Sequence, residues 1–263
     1  MTTRLSVILP VYNESQHIVD VVGRVLRAEV PAGVTKQIIV VDDGSTDGGH
    51  ALLERLAREE RVEVYRLERN QGKGAAIRHG LRFATGEVVL IQDADLEYSP
   101  AEYRPLIEPL MRDGAAVVYG SRFRGTIRGM RWSNWLANKL LVSLANVLYG
   151  AGITDEATGF KVFRRDVLLR LDLRCRRFEF CPEVTAKLCR AGYVIREVPI
   201  SYDGRSAKQG KKVRWHDGVV AVWTLARYRF WRPRPIGLED AHGRATSSET
   251  SLHITTRNTT PTP

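Results

Sequence analysis

The 263-residue sequence predicts an α/β fold: a Rossmann-like, mostly parallel sheet with helices on both faces. In the first half, short β-branched runs alternate with amphipathic stretches at the spacing of strand–helix–strand units. Polar or glycine-containing groups follow each run, where the carboxyl end of a strand is expected. The length and the 43% hydrophobic content allow a sizeable core, and no stretch reaches the roughly 18–20 apolar residues of a membrane-spanning helix.

Local patterns predict the elements in chain order. Five apolar runs bounded by turn residues predict strands over 5–10, 37–41, 62–67, 88–91 and 115–119. The stretches between them predict helices over 14–27, 49–60, 74–84 and 100–112. In the second half, apolar spacing predicts helices over 131–150, 181–191 and 215–231, with short strands over 162–163 and 194–198. Residues 233–263 are rich in Thr, Ser and Pro, and we expect them to form a disordered tail.

Positive charge is concentrated in one part of the chain. Residues 113–232 carry 23 Lys and Arg against 10 Asp and Glu, and the whole chain has a net charge of +10. This distribution indicates an anionic partner for the second half: a phosphorylated substrate, a membrane surface or nucleic acid. The three cysteines lack metal-type spacing and favour a reducing compartment, and the chain does not start with a signal-peptide pattern.

Chemically useful residues follow the predicted strands. Ligands of α/β folds bind beyond the carboxyl ends of the strands, so these groups are expected to share one edge of the sheet. After the first four runs stand Pro10-Val11-Tyr12-Asn13-Glu14, Asp42-Asp43-Gly44-Ser45-Thr46-Asp47, Asn70-Gln71-Gly72-Lys73-Gly74 and Gln92-Asp93-Ala94-Asp95. Gly120-Ser121-Arg122 follows the fifth run.

Asp93-Ala94-Asp95 is the most informative of these groups. Two carboxylates one residue apart offer hard oxygen ligands, which suit Mg²⁺ or Mn²⁺ shared with a diphosphate. The alternative is a polar turn that caps the next helix. Asp42 and Asp43 could bind a metal, a base or a ribose, or could belong to a helix-capping turn.

Two common nucleotide-binding patterns are absent from the sequence. Lys73 is followed by Gly74 instead of Ser or Thr, and Leu67 stands where a P-loop has its first glycine. The first predicted strand does not lead into a Gly-X-Gly-X-X-Gly turn. These absences argue against kinases, nucleotide triphosphatases and NAD-dependent enzymes.

In this order, the four groups resemble the glycosyltransferase family 2 domain of the GT-A fold. Within that family, the chain is most similar to the dolichyl-phosphate or polyprenyl-phosphate mannose synthases and the polyprenyl-phosphate glucosyltransferases. Support for this subgroup comes from Gly120-Ser121-Arg122, from Asp155 with Thr158-Gly159-Phe160, and from Arg205 with Lys211. The resemblance covers about residues 4–230.

The resemblance implies an inverting, metal-dependent transfer of a hexose from a nucleotide sugar of the GDP-mannose or UDP-glucose type. It implies a nucleotide-sugar-binding half over 1–119 and an acceptor-binding half over 120–232, followed by the tail 233–263. The implied donor-binding residues are Pro10, Tyr12, Glu14, Asp42, Asp43, Lys73, Gly74, Asp93, Ala94 and Asp95. Asp93 and Asp95 would also hold Mg²⁺ or Mn²⁺. The implied catalytic residues are Asp95, Arg122, Asp155, Arg205 and Lys211.

The acceptor decides whether the reaction needs a protein base. A hydroxyl must lose its proton as it attacks, whereas a lipid phosphate is already anionic and needs cationic groups to position it. Because the second half is strongly basic, we favour a polyprenyl phosphate acceptor. The alternative is a soluble or glycan hydroxyl, with Asp155 as the base and Glu179 as the next candidate. A basic nucleic-acid-binding protein is a more remote alternative.

Two segments combine basic residues with tryptophan and apolar residues, as interfacial helices do. Residues 128–149 form the first, and residues 215–231 are a candidate for the second. Ordinary core or dimer packing is the alternative for both segments. With a lipid-linked acceptor, they predict a peripheral protein at the cytoplasmic face of the cell membrane.

Overall fold

Seven strands form one sheet in the computed structural model, which describes residues 2–204 and 215–233. The strands are β1 (Thr3–Val11), β2 (Val34–Asp42), β3 (Val62–Arg66), β4 (Val88–Ile91), β5 (Val117–Arg128), β6 (Lys161–Arg164) and β7 (Ile195–Asp203). Their order in the sheet is β3-β2-β1-β4-β6-β5-β7. Only β6 runs antiparallel to its neighbours, so β5 and β7 point the same way as β1 to β4. The predicted mostly parallel α/β sheet is confirmed.

Helices cover both faces of this sheet. They are α1 (Ile18–Arg27), α2 (Gly49–Glu59), α3 (Lys73–Leu81), α4 (Tyr103–Arg112), α5 (Trp132–Tyr149), α6 (Arg165–Arg170), α7 (Phe180–Arg190) and α8 (Trp215–Tyr228), with a 3₁₀ turn over Pro100–Glu102. Helices α1, α2 and α4 pack on one face, and α3, α6 and α7 pack on the other together with parts of α5 and α8. Side chains alternate between the two cores along each strand: Ile8 lies in one core, and Val7 and Leu9 lie in the other.

The sequence explains the central elements directly. Strand β1 is covered on both faces, so its apolar run is nearly continuous. In α1, the spacing of Ile18, Val21, Val22 and Val25 places them on one buried face. Strand register then aligns the strand ends, since Val11 of β1 pairs with Asp42 of β2.

The predicted bounds of β5 and α1 are wrong, and one short helix was not predicted. Strand β5 continues to Arg128, so Gly120-Ser121-Arg122 lies inside a strand instead of following one. Pairing with β7 extends β5 through a register shift between Ser121 and Thr126, which an apolar-run analysis does not detect. Helix α1 begins at Ile18, and the six-residue helix α6 was not predicted because it is too short to show a period.

The two predicted halves contribute strands to the same sheet, and the functional boundary at residue 119 stays a prediction. Most of the predicted tail lies outside the described residues, as do Arg205 and Lys211. Among the residues that are described, no helix is both long and apolar enough to cross a membrane.

Candidate active site

The loops after β1 and β2 are bonded to each other. Asn13 adopts a left-handed backbone (φ 49°), and its side-chain oxygen accepts a hydrogen bond from the Thr46 amide at 2.8 Å. The Asn13 amide donates to Ser45 Oγ at 3.0 Å, and the Ser15 amide donates to Asp47 Oδ2 at 2.8 Å. The segment with Pro10, Tyr12 and Glu14 is therefore held beside the segment with Asp42 and Asp43.

Asp42 and Asp43 organise the backbone of this edge. Asp42 is fully buried; its Oδ1 accepts from the Ser45 amide at 2.9 Å, and its Oδ2 lies 3.1 Å from His50 Nδ1. The Asp43 carboxylate accepts from the Gln71 and Gly72 amides at 2.7 Å each. Burial raises the pKa of Asp43, and these two amides oppose that effect by stabilising the charged form. The β2 loop is thereby joined to the loop that carries Lys73.

The loop before α3 is also held from its other side. Gly74 and Ala75 amides donate to the carbonyls of Arg177 and Arg176 at 3.0 and 2.8 Å. Gly72 has a φ of +99°, and a Cβ there would lie 2.5 Å from the Arg176 carbonyl oxygen, so the turn requires glycine. The amides of Arg176 and Arg177 in turn donate to Glu179 at 2.7 and 3.0 Å.

Asp93 and Asp95 follow β4, as predicted, and are partly exposed. Lys73 Nζ forms an ion pair with Asp93 Oδ1, and the Glu97 amide donates to Asp95 Oδ1 at 3.1 Å. Burial lowers the pKa of Lys73, but the acidic groups around it, with Asp93 foremost and Asp95 adding to it, together outweigh burial, and the pKa is raised. Lys73 is therefore protonated beside the carboxylate pair near neutral pH. Ala94 between the two acids is buried.

Gly159 packs directly against this carboxylate pair. A Cβ at Gly159 would lie 2.5 Å from Asp93 Oδ2 and 2.7 Å from Tyr98 Cε2. The Gly159 amide donates to the Tyr98 hydroxyl at 3.0 Å. Asp93 therefore contacts Lys73 on one side and a glycine surface on the other.

Arg122 and Asp155 form a buried ion pair in the second half. Arg122 Nε and Nη2 donate to the two Asp155 oxygens at 2.7 Å each, and the Arg122 amide adds a bond of 3.0 Å. The guanidinium also donates to Asn138 Oδ1 at 3.3 Å and lies over the Tyr202 ring at 5.2 Å. Asp155 has no exposed surface. A carboxylate that accepts three bonds from one arginine is suited to fixing the position of that arginine.

Glu197 supports this pair, and sequence reasoning missed it. Its carboxylate accepts from the amides of Thr154 and Asp155 at 2.8 and 2.9 Å, and from Thr154 Oγ1 at 2.8 Å. The glutamate therefore holds the chain that presents Asp155 to Arg122. The available signal was an acidic residue inside the apolar run that predicted β7.

The donor set fits a hard divalent cation that a substrate helps to coordinate. Over residues 2–204 and 215–233, no group of three or more His, Cys, Asp or Glu is placed to hold a metal ion alone. Asp93 and Asp95 offer carboxylate oxygens, which Mg²⁺ and Mn²⁺ prefer, and Mg²⁺ commonly takes its other ligands from water and substrate phosphates.

Comparisons with known proteins identify a family and relatives for this chain. The model of the family "Glycosyl transferase family 2" matches residues 6–171. The chain is 33% identical over 249 residues to polyprenol monophosphomannose synthase of Mycolicibacterium smegmatis, covering 89% of this chain and 92% of that protein. It is 28% identical over 215 residues to dolichol-phosphate mannosyltransferase of Pyrococcus furiosus, covering 79% of this chain and 59% of that protein.

Solved structures support the fold. Glucosyl-3-phosphoglycerate synthase of Mycobacterium tuberculosis, in complex with Mn²⁺, UDP-glucose and phosphoglyceric acid, aligns with a TM-score of 0.64 at 22% identity, covering 86% of this chain and 80% of that one. Mannosyl-3-phosphoglycerate synthase of Rubrobacter xylanophilus aligns with a TM-score of 0.63 at 20% identity, covering 86% and 72%. At these identities the likeness shows a shared fold alone.

Proposed function

The chain belongs to glycosyl transferase family 2, and on that premise we propose that it transfers a hexose from a nucleotide sugar to a polyprenyl phosphate. One observation supports a polyprenyl phosphate as the acceptor. The similarity to a polyprenol monophosphomannose synthase, at 33% identity, extends over 89% of this chain and 92% of the relative. It therefore includes the basic second half as well as the donor-binding edge.

We assign the nucleotide sugar to the edge formed by the loops after β1, β2 and β4. Pro10, Tyr12, Glu14, Asp42 and Asp43 would surround the nucleoside, because the loop hydrogen bonds hold these segments side by side. Lys73 and Gly74 would lie towards the diphosphate. GDP-mannose and UDP-glucose are the two donor types to be distinguished.

Asp93 and Asp95 are the residues that would hold Mg²⁺ or Mn²⁺. When bound, the cation would neutralise negative charge on the departing nucleoside diphosphate. The Mn²⁺ and UDP-glucose complex of a protein with this fold supports the assignment. The chain's own contribution is to place two carboxylates one residue apart in the loop after β4, where the Glu97 amide fixes Asp95.

Arg122 is our candidate for orienting a phosphate group. Its guanidinium is held by Asp155, and Asp155 is held by Glu197, so the cation has little freedom to reorient. An anionic phosphate acceptor can attack without losing a proton, so it needs no protein base. This fits a site in which both oxygens of Asp155 accept hydrogen bonds from Arg122. The same geometry disfavours the alternative of a hydroxyl acceptor with Asp155 as base. Arg205 and Lys211 stay further candidates outside the described residues.

Glu179 is disfavoured as a base for a similar reason. Both of its carboxylate oxygens accept hydrogen bonds from backbone amides of the loop that contacts α3. The nucleic-acid alternative rested on net charge, which an anionic lipid substrate accounts for equally well.

We further propose peripheral membrane contact through α5 and α8, which pack against each other. Both helices expose large apolar side chains: Trp132, Leu140 and Val147 on α5, and Val219 and Trp223 on α8. Arg128, Arg131 and Lys139 add positive charge beside α5. The free thiols of Cys175, Cys181 and Cys189 support a reducing compartment, hence the cytoplasmic face.

The test is direct transfer by the purified full chain. GDP-mannose or UDP-glucose is supplied with a polyprenyl phosphate in vesicles and Mg²⁺ or Mn²⁺, and glycolipid product is measured by mass spectrometry. We expect one donor to give product, and Asp95→Asn to lower the rate by about 100-fold or more.

Asp113→Asn is the matched control, because Asp113 forms an exposed surface pair with Arg196 and its loss should leave the rate unchanged. Transfer to a soluble hydroxyl acceptor, with none to the lipid phosphate, would replace our proposal with the hydroxyl alternative.

A further inference from the structure

Lys73 places a positive charge beside Asp93, the first of the two acidic residues. Its Nζ pairs with Asp93 Oδ1, and both side chains are about four-fifths buried, with 19% and 20% exposed. Solvent therefore screens this pair less than it screens an ion pair on the open surface. No role in metal binding follows for Lys73 from its place in the sequence, since 20 positions separate it from Asp93.

The backbone at Lys73 is fixed by hydrogen bonds on both sides of the residue, so the ammonium cannot leave Asp93 through a backbone movement. The Asp43 carboxylate accepts from the two amides before Lys73, Gln71 and Gly72. The two amides after it, Gly74 and Ala75, donate to carbonyls of the 176–177 segment. Four hydrogen bonds, two on each side of Lys73, thus fix the start of α3, and rotation of the lysine side chain is the movement left that can take the ammonium away from Asp93.

Asp93 is restricted as well. Its Oδ2 rests against Gly159, where even a methyl group would collide with it. The carboxylate therefore cannot swing towards Gly159 to escape Lys73. A divalent cation that binds Asp93 must share this carboxylate with the ammonium or displace it.

We propose that Lys73 acts as a built-in competitor that makes divalent-cation binding depend on the nucleoside diphosphate. The proposal rests on the metal site of the proposed function. Without the diphosphate, a cation at Asp93 is repelled by Lys73. With it, the diphosphate offers both metal ligands and negative charge that Lys73 can pair with instead. Metal and nucleotide therefore strengthen each other's binding, and this coupling is reciprocal.

The experiment measures Mn²⁺ affinity of the full chain from the electron paramagnetic resonance signal of free Mn²⁺, with and without GDP or UDP. The variants are Lys73→Met and Lys73→Arg, with Arg78→Met as a matched loss of charge on the exposed side of the same helix. Without nucleotide, we expect Lys73→Met to bind Mn²⁺ about fivefold to tenfold more tightly than the wild type. The gain in Mn²⁺ affinity on adding nucleotide should shrink accordingly.

Lys73→Arg keeps the charge and should lie closer to the wild type than Lys73→Met, and Arg78→Met should match the wild type. Circular dichroism checks folding, and Lys73→Gln replaces Lys73→Met if that variant does not fold. Unchanged or weaker Mn²⁺ binding by the neutral variants overturns the role of Lys73. If Asp93→Asn then still abolishes Mn²⁺ binding, the metal site of the proposed function survives. If no protein binds Mn²⁺ even with nucleotide, the metal site and this inference both fail.

Discussion

At the scale of single residues, an added methyl group at Gly159 should disturb Asp93 directly. A Cβ there would meet Asp93 Oδ2 at 2.5 Å and Tyr98 Cε2 at 2.7 Å. Tyr98 is buried, so Asp93 has to move. We expect Gly159→Ala to weaken Mn²⁺-dependent nucleotide binding by about tenfold, equivalent to about 1.4 kcal/mol, as measured by thermal shift with GDP or UDP.

Gly218→Ala is the control for this substitution. Gly218 lies in α8, with open space where its Cβ would be, so alanine should stabilise the protein by about 0.5–1 kcal/mol and leave nucleotide binding unchanged. Normal nucleotide binding by Gly159→Ala would show that Asp93 is not held in the way described.

Glu156 gives the stability of the protein a pH dependence. Burial raises the pKa of this carboxyl to about 7, against the attraction of Lys161, and its Oε2 has no hydrogen-bond partner. The folded pKa lies above the unfolded one, so the contribution of Glu156 is complete below the unfolded pKa and is lost as pH rises through about 7. From pH 5 to 8, we expect this group to lower the free energy of unfolding by about 1–3 kcal/mol.

The measurement is urea unfolding of the wild type and Glu156→Gln at several pH values. Asp43 and Glu102 also have raised pKa values, so only the difference between the two proteins isolates Glu156. Glu156→Gln should show the flatter profile, and parallel profiles would contradict the assignment.

At the scale of elements, the proposed membrane contact depends on the exposed apolar side chains of α5 and α8. Trp223 on α8 is 65% exposed, so its replacement should not disturb the core. If this face meets lipid, Trp223→Glu should lower binding to anionic vesicles by about tenfold in a sedimentation assay, because a charge replaces an interfacial indole. Val194→Glu is the control: Val194 is 78% exposed but lies outside both helices. Equal loss in both variants would indicate a non-specific charge effect.

The helices and strands that could be predicted are those whose pattern is contained in neighbouring residues of the sequence. The helical spacing of apolar residues in α1 and the apolar run of β1 each lie within one short segment, and both elements were predicted. Beyond Tyr119, polar residues and glycines interrupt the apolar run of β5, and pairing with β7 holds this part of the strand, so its extension was visible only in the sheet. Helix α6 has six residues, fewer than two turns, which gave no usable period.

At the scale of the whole molecule, one sheet contains the strands of both the first half of the chain and the basic second half. Strands β5 to β7 continue the sheet of β1 to β4, with β6 as the antiparallel link. Arg122 thereby lies in the same sheet as β4, the strand that Asp93 follows, and the Tyr202 hydroxyl donates to the Glu97 carboxylate at 3.0 Å across the two halves.

The sequence by itself determined the fold class, the acidic pair Asp93 and Asp95, and the edge at which the polar groups meet. These follow from local periodicity and from the rule that parallel strands end on one side. Only the tertiary structure decided the partner of each charge: Lys73 with Asp93, and Arg122 with Asp155, which lies 33 residues away. Glu197 reaches Asp155 across a further 42 positions. Such pairings depend on strand order and register, which no local pattern specifies, so the arginine partner of Asp155 could be found only in the folded chain.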